Sequence, residues 1–290
     1  MNDQTPARSA AHPPETTEGW YVFHQIFAVD RALLRSLDAT ARGALRTAAR
    51  ETLRRVCTPP SGGWSAVVPL IGSVADVMLV HFRPTLDDVA VAQRELASLA
   101  LFDVLRPVYS FLSVTEAGLY HASAVLAQEA VARGGRVGDA EYRAAMDARV
   151  TQERANAHVQ RRLFPQQPDD MPYVCFYPMS KRRTVGQNWY ALTLEERSRL
   201  MMEHGATGRS YAGRVVQVIS GAIGLDDWEW GVTLFAADPL VFKKIVTEMR
   251  FDEVSANYSD FGKFFVGKRA EIGDWLEGIA RGSAENQTDD

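Results

Sequence analysis

A chain of 290 residues, 46% hydrophobic and 23% charged, has enough apolar surface for one large core or two average ones. Its formal charge of −4, from 32 Lys and Arg against 36 Asp and Glu, gives no general pull toward nucleic acid or an anionic membrane. Two distant cysteines, Cys57 and Cys175, argue against a disulfide framework or a cysteine-ligated zinc site and fit buried thiols in a reducing compartment.

The N-terminal residues MNDQTPARSAAHPPETTEG have no apolar segment of signal-peptide type, and nowhere do eighteen apolar residues run together. The expectation is a cytoplasmic protein without membrane insertion. Residues 1–18 and 281–290 are polar and read as disordered tails. From Trp20 to Val29 the aromatic and β-branched content is that of a strand. Residues 30–56 follow with helical apolar spacing, ended by Pro-Pro-Ser-Gly-Gly at 59–63. Strands at 64–71 and 74–82, a helix at 87–101 and a strand at 106–116 complete a βαββαβ order, the ferredoxin-like unit.

Residues 117–165 are Ala-rich and read as a helical connector interrupted near Arg133. The order then recurs: strand 173–180, helix 193–204, strands 213–221 and 228–237, helix 239–249, strand 251–266 and a closing helix at 269–280. HFRPTLDDVAVAQRELASLALFD at 81–103 and LFAADPLVFKKIVTEMRFD at 234–252 share a strand–Pro–helix–Phe-Asp wording, a weak internal repeat. The fold class expected is α+β: an N-terminal half (19–116) and a C-terminal half (166–280), both ferredoxin-like, pairing their sheets into a barrel with helices outside.

Residues with chemistry concentrate in the second half. Tyr177 and Lys181 stand four apart on one strand, hence on one face; a phenol can yield an electron and proton, and an ammonium can meet a carboxylate. The alternative is an edge strand with solvated basic residues. His204, in MMEHG, reads as a last-turn residue before a Gly205 cap, where a neutral imidazole can ligate iron. Alternation puts Gln217 on a face with Val215 and Ile219, among apolar neighbours where an amide needs a partner, from a ligand or from the next strand. In MRFDEVS, Arg250 ends a helix and Ser255 follows on the next strand. Both can hold a carboxylate, unless Arg250 merely pairs with Asp252 or Glu253. Markers of P-loop, dinucleotide-binding, zincin and α/β-hydrolase chemistry are absent from the sequence.

YPMSKRR, NWYxL, MxxHGxxGRxYxGRVxQxISGxxGxDDxEWGV and EMRFDExSAxY occur in order over residues 160–268. Together they resemble the coproheme decarboxylase family, the haem-synthesising branch of the chlorite dismutase superfamily. The resemblance implies oxidative decarboxylation of two propionates of iron coproporphyrin III to vinyls, giving haem b, with hydrogen peroxide as oxidant and a tyrosyl radical on Tyr177. The porphyrin iron is both substrate and redox cofactor. His204 matches the proximal iron ligand, Lys181 the lysine that assists proton movement, and Gln217 the distal glutamine. Arg250 and Ser255 match propionate-holding residues, Trp189 a pocket tryptophan, and Arg162 (with Arg161 beside it) a further propionate arginine. Chlorite-degrading relatives carry arginine where Gln217 stands, which disfavours that reaction. Relatives form homopentamers. Rival readings are a haem-dependent peroxidase or chlorite dismutase-like enzyme, and a non-catalytic haem-binding protein.

Overall fold

The computed structural model describes residues 12–281. Strand β1 (Thr16–Val29) is followed by α1 (Arg31–Ser36), α2 (Ala39–Cys57), β2 (Trp64–Pro69), β3 (Val77–Arg83), α3 (Leu86–Ala97) and β4 (Leu105–Gly118). Three helices, α4 (Tyr120–Ala132), α5 (Ala140–Arg154) and α6 (Ala157–Leu163), lead to β5 (Tyr173–Lys181). The second unit continues with α7 (Leu194–Arg209), β6 (Val216–Gly221), β7 (Trp230–Ala236), α8 (Leu240–Met249), α9 (Glu253–Tyr258), β8 (Ser259–Phe261) and β9 (Phe265–Lys268), and α10 (Ile272–Arg281) closes the described chain.

Each half is a ferredoxin-like antiparallel sheet. The first runs β2-β3-β1-β4; the second runs β6-β7-β5, with β8 and β9 both paired to β5. The halves join where Val114 and Thr115 of β4 pair with Gly221 and Ser220 of β6. At the far edge, β2 meets the β9 region through bridges Val67–Ala270 and Leu70–Gly267. Gly267 is required there, because a Cβ would lie 2.2 Å from the Pro69 carbonyl oxygen. The result is an α+β barrel.

Alternation along the strands sorts the side chains into layers. Val22, Ile26, Trp64, Phe82, Phe111, Phe176, Phe235 and Phe265 fill the interior. Outside the first half, Leu53 and Val56 of α2 and Leu96 of α3 pack on Val67, Val77 and Leu79. Trp275 and Leu276 of α10 join this cluster, and Arg46 pairs with Glu277 at 2.6 Å. Outside the second half, Tyr211, Val241, Phe242 and Ile245 cover Cys175, Tyr177, Val232 and Leu234. No described helix is long and apolar enough to cross a membrane.

The structure departs from the sequence reading in four places. β1 begins at Thr16, inside the stretch read as a tail; the rest of that stretch to residue 11, and residues 282–290, lie outside the described residues. The helix expected over 30–56 breaks at Leu37, because Asp30 and Asp38 each cap a new start, accepting from Leu33 N and Ala41 N. Helix α7 runs through Gly205 to Arg209, and the left-handed turn falls at Gly213 (φ 79°), so His204 is not on the final turn. The strand expected at 251–266 is α9 followed by the short strands β8 and β9. Asp252 accepts from Ser255 N at 2.9 Å and starts a helix there, placing Ser255 in its first turn rather than on a strand.

Candidate functional site

The site lies between the outer face of the C-terminal sheet and helices α7, α8 and α9. Helix α7 starts at a capping box, Thr193 with Glu196, and carries a half-buried His204 toward the start of α9. His204 Nδ1 is 3.0 Å from Asp252 Oδ2. The same carboxylate accepts from Ser255 N and, at 3.2 Å, from Ser255 Oγ. Burial alone would raise the Asp252 carboxyl; the hydrogen bonds from His204 and Ser255 outweigh it and hold the group below the ordinary carboxylate range. An ionised Asp252 only accepts, so Nδ1 carries the hydrogen of this bond and Nε2 is the ring nitrogen left for a metal, the orientation of a metal-ligating histidine.

On β5, Tyr177 is 5% exposed, stacked on Phe264 at 4.3 Å. Its hydroxyl makes no hydrogen bond among the described residues, and burial pushes its pKa up against the opposing charge of Arg250. The Arg250 guanidinium lies 3.7 Å from the centroid of Phe261, which itself flanks Tyr177. Arg250 pairs with neither Asp252 nor Glu253: the first holds His204, the second Arg199.

Lys181, four residues further along the same face, is also buried. Its Nζ donates to Ser259 Oγ at 3.1 Å and sits 4.6 Å from the Trp189 centroid. Burial pulls its pKa down to about 8, against the charges of Asp252 and Glu229. The Lys181 amide donates to Glu229 Oε2 at 2.7 Å, and Glu229 also pairs with Arg183. Gln217 shares its face with Val215 and Ile219 and donates to the Gly208 carbonyl at 3.3 Å. Gly208 lies one turn beyond His204; a Cβ there would stand 3.3 Å from Gln217 Nε2 and 3.4 Å from Met249 Cε, so the glycine lets α7 approach the strand.

The structure therefore brings Tyr177, Lys181, Trp189, His204, Gln217, Arg250 and Ser255 to one region. Ser255, however, is committed to Asp252. Arg162 stands apart, on α6, where its charge acts on Glu116 of β4; Arg161 is exposed beside it. Sequence reasoning missed Asp252 and Glu229 as organising carboxylates. Asp252 appeared only as a surface partner for Arg250, and the glutamate of EWGV carried no role.

The equivalent face of the first half is sealed. His81 is held by Ser65 at 2.7 Å and Gln25 at 3.2 Å, and Arg83 is spent on Ser65 Oγ and the carbonyls of Trp64 and Val56. Burial drives His81 down to about 3, so it is neutral. Among the described residues, no group of three or more His, Cys, Asp or Glu side chains is arranged to hold a bare metal ion. A metal bound through His204 would bring other ligands with it. The donor set fits a carboxylated iron porphyrin: one imidazole with a free Nε2, an apolar sheet face, and cations at Lys181, Arg250 and Arg162.

A family model described as chlorite dismutase matches residues 45–270. The chain belongs to the chlorite dismutase family. A heme-binding protein from Thermus thermophilus is 38% identical, with a TM-score of 0.79 over 94% of this chain and 99% of that one. A chlorite dismutase variant from Candidatus Nitrospira defluvii is 18% identical, with a TM-score of 0.68 over 91% and 96% of the two chains. The same enzyme in complex with imidazole gives 19% and 0.67 over 91% and 96%. These last two likenesses establish the family's fold in this chain and nothing finer.

Proposed function

We propose that this member of the family is a coproheme decarboxylase. It converts iron coproporphyrin III to haem b with hydrogen peroxide, in the cytoplasm and as a homopentamer. The observation that carries the reading is the buried Tyr177, whose unbonded hydroxyl shares a sheet face with Lys181, under the same cluster of side chains that α8 lays on the sheet. Gln217, where chlorite-degrading relatives have arginine, supports it as well.

The balance of each step is a propionate, one peroxide and one proton giving a vinyl group, carbon dioxide and two waters. The substrate's own iron supplies the reaction with peroxide. Nε2 of His204 binds that iron, and Asp252 fixes the ring. Arg250, and Arg162 from the far wall, meet substrate carboxylates. Tyr177 gives up its hydroxyl proton and one electron, then takes a hydrogen atom from the propionate carbon next to the ring. Its burial keeps the phenol protonated until that moment, and the stack on Phe264 holds it in place. Lys181, with a pKa near operating pH, holds and returns the proton that the balance consumes. Ser255 acts through Asp252 in this structure, by hydrogen-bonding the carboxylate that orients His204.

The test is product mass after adding iron coproporphyrin III and peroxide to the purified protein. Stepwise loss of carbon dioxide and two hydrogens, through a three-propionate intermediate, is the expected outcome. Peroxide consumption with unchanged porphyrin would make it a peroxidase; no reaction of either would make it a haem-binding protein without catalysis.

A further inference from the structure

Glu116 comes from β4, the last strand of the N-terminal half, yet its carboxylate lies over the C-terminal sheet. Oε1 accepts from Trp230 Nε1 at 2.8 Å. Oε2 fills the space above Gly221, where a Cβ would stand only 2.3 Å away. Gly221 pairs with Trp230, and Trp230 with Met179, two rows along from Tyr177 and Val232 and hence the next row on the same face. The carboxylate therefore closes the end of the site face where the two halves join.

Three titratable groups from three other elements face it. Glu18 is its register partner on β1; Arg162 approaches from α6, whose next residue, Leu163, accepts through its carbonyl from Thr115 Oγ1 at 2.7 Å, directly beside Glu116; and Tyr120, on α4, stands beside Trp189. Burial pushes the Glu116 carboxyl up; the Trp230 hydrogen bond opposes this, Glu18 adds to it, and Arg162 opposes it. Arg162 reaches solvent and forms no direct ion pair or hydrogen bond among the described residues, yet the surrounding protein pulls its pKa below the ordinary arginine range, so its guanidinium sits partly desolvated with its donors unspent.

We propose that Glu116 is a specificity-determining positioning residue supplied by the N-terminal half: its charge offsets that of Arg162 and limits how tightly a porphyrin carboxylate is held there. This rests on the reading that the site takes a carboxylated porphyrin. A carboxylate arriving at Arg162 must share the cation with Glu116 and meets its like charge in a partly desolvated place. The effect grows with the number of carboxylates on the ligand.

Titrations of iron coproporphyrin III, with four carboxylates, and haem b, with two, followed by Soret absorbance, test this without peroxide. Glu116→Gln keeps an acceptor for Trp230 and removes the charge. It is expected to tighten iron coproporphyrin III by about three- to tenfold, the scale of one partly screened charge interaction, and haem b by less. In an Arg162→Ala background the same change is expected to have a clearly smaller effect, because only the like-charge repulsion is left to remove. Glu116→Asp, which retains the charge, is expected to stay near wild-type affinity. Equal shifts in both backgrounds, weaker binding in Glu116→Gln, or tightening in Glu116→Asp equal to that in Glu116→Gln would each overturn the proposal. A protein that binds porphyrin as stated but never decarboxylates it overturns the proposed reaction instead.

Discussion

Asp252 holds His204 through Nδ1 at 3.0 Å and starts helix α9 through Ser255 with the same carboxylate. Ring orientation and local fold are thus set by one side chain. Replacing it by asparagine removes the charge that favours a basic imidazole, and metal sites lose roughly ten- to a hundredfold in affinity when such a partner is removed. Asp252→Asn is expected to shift the iron–histidine stretch of the coproheme complex to lower frequency in resonance Raman, and His204→Ala to abolish it. An unchanged band in His204→Ala would remove His204 as the ligand.

Tyr177 offers a clean separation of chemistry from packing. Because its hydroxyl has no hydrogen-bond partner among the described residues and its ring stacks on Phe264, Tyr177→Phe leaves every contact of the ring in place. The variant is expected to melt within a few degrees of wild type, bind iron coproporphyrin III with near-normal affinity, and make almost no three-propionate product. Haem b formed at the wild-type rate would rule out Tyr177 as the hydrogen-transferring group.

Lys181 sets a pH limb. Burial lowers its pKa to about 8, so the ammonium predominates below that pH and is lost as pH rises through it. If the ammonium returns a proton in the second decarboxylation, the three-propionate intermediate is expected to accumulate above about pH 8. Lys181→Ala should carry out some of the first step, stall at the second, and lack the limb. A pH-rate profile of product ratios checks this, and an identical limb in Lys181→Ala would assign it to another group.

Gln217 reaches only as far as the Gly208 carbonyl, 3.3 Å away. A longer, charged side chain there would meet α7 where it comes nearest the strand. Wild-type protein loaded with haem is therefore expected to release little oxygen from chlorite at an oxygen electrode. Gln217→Arg is expected to add only weak activity, because no other part of an anion site accompanies it. Sustained oxygen release by the wild type would contradict the branch assigned here.

The two ferredoxin-like halves are legible in the sequence because strand and helix periods alternate cleanly, and because the second half repeats the order of the first. FDEVSANY misleads because its aromatic and β-branched residues suggest a strand. The local hydrogen bond from Ser255 N to Asp252 decides for a helix instead. Gly205 misleads in the opposite sense: its backbone is helical, and the glycine that needs a positive φ comes eight residues later. The site residues are legible as motifs, but their organising carboxylates are not. Asp252 lies 48 residues from His204, and Glu229 lies 48 from Lys181, and no local pattern announces contacts at that separation. Glu116 is further removed still, in the half whose helix-covered face is packed shut.

The final helix belongs to the opposite half. Trp275 and Leu276 of α10 are buried among Leu34, Leu53 and Leu101, so the hydrophobic layer over the first sheet is completed by the last residues of the described chain to be synthesised. During translation the N-terminal half emerges first and waits with an uncovered apolar strip until the second half, with α10 behind it, has followed it out of the ribosome. A chain ending before Ile272 would retain every residue of the candidate site and still be prone to aggregate, through the apolar strip that α10 covers on the first half.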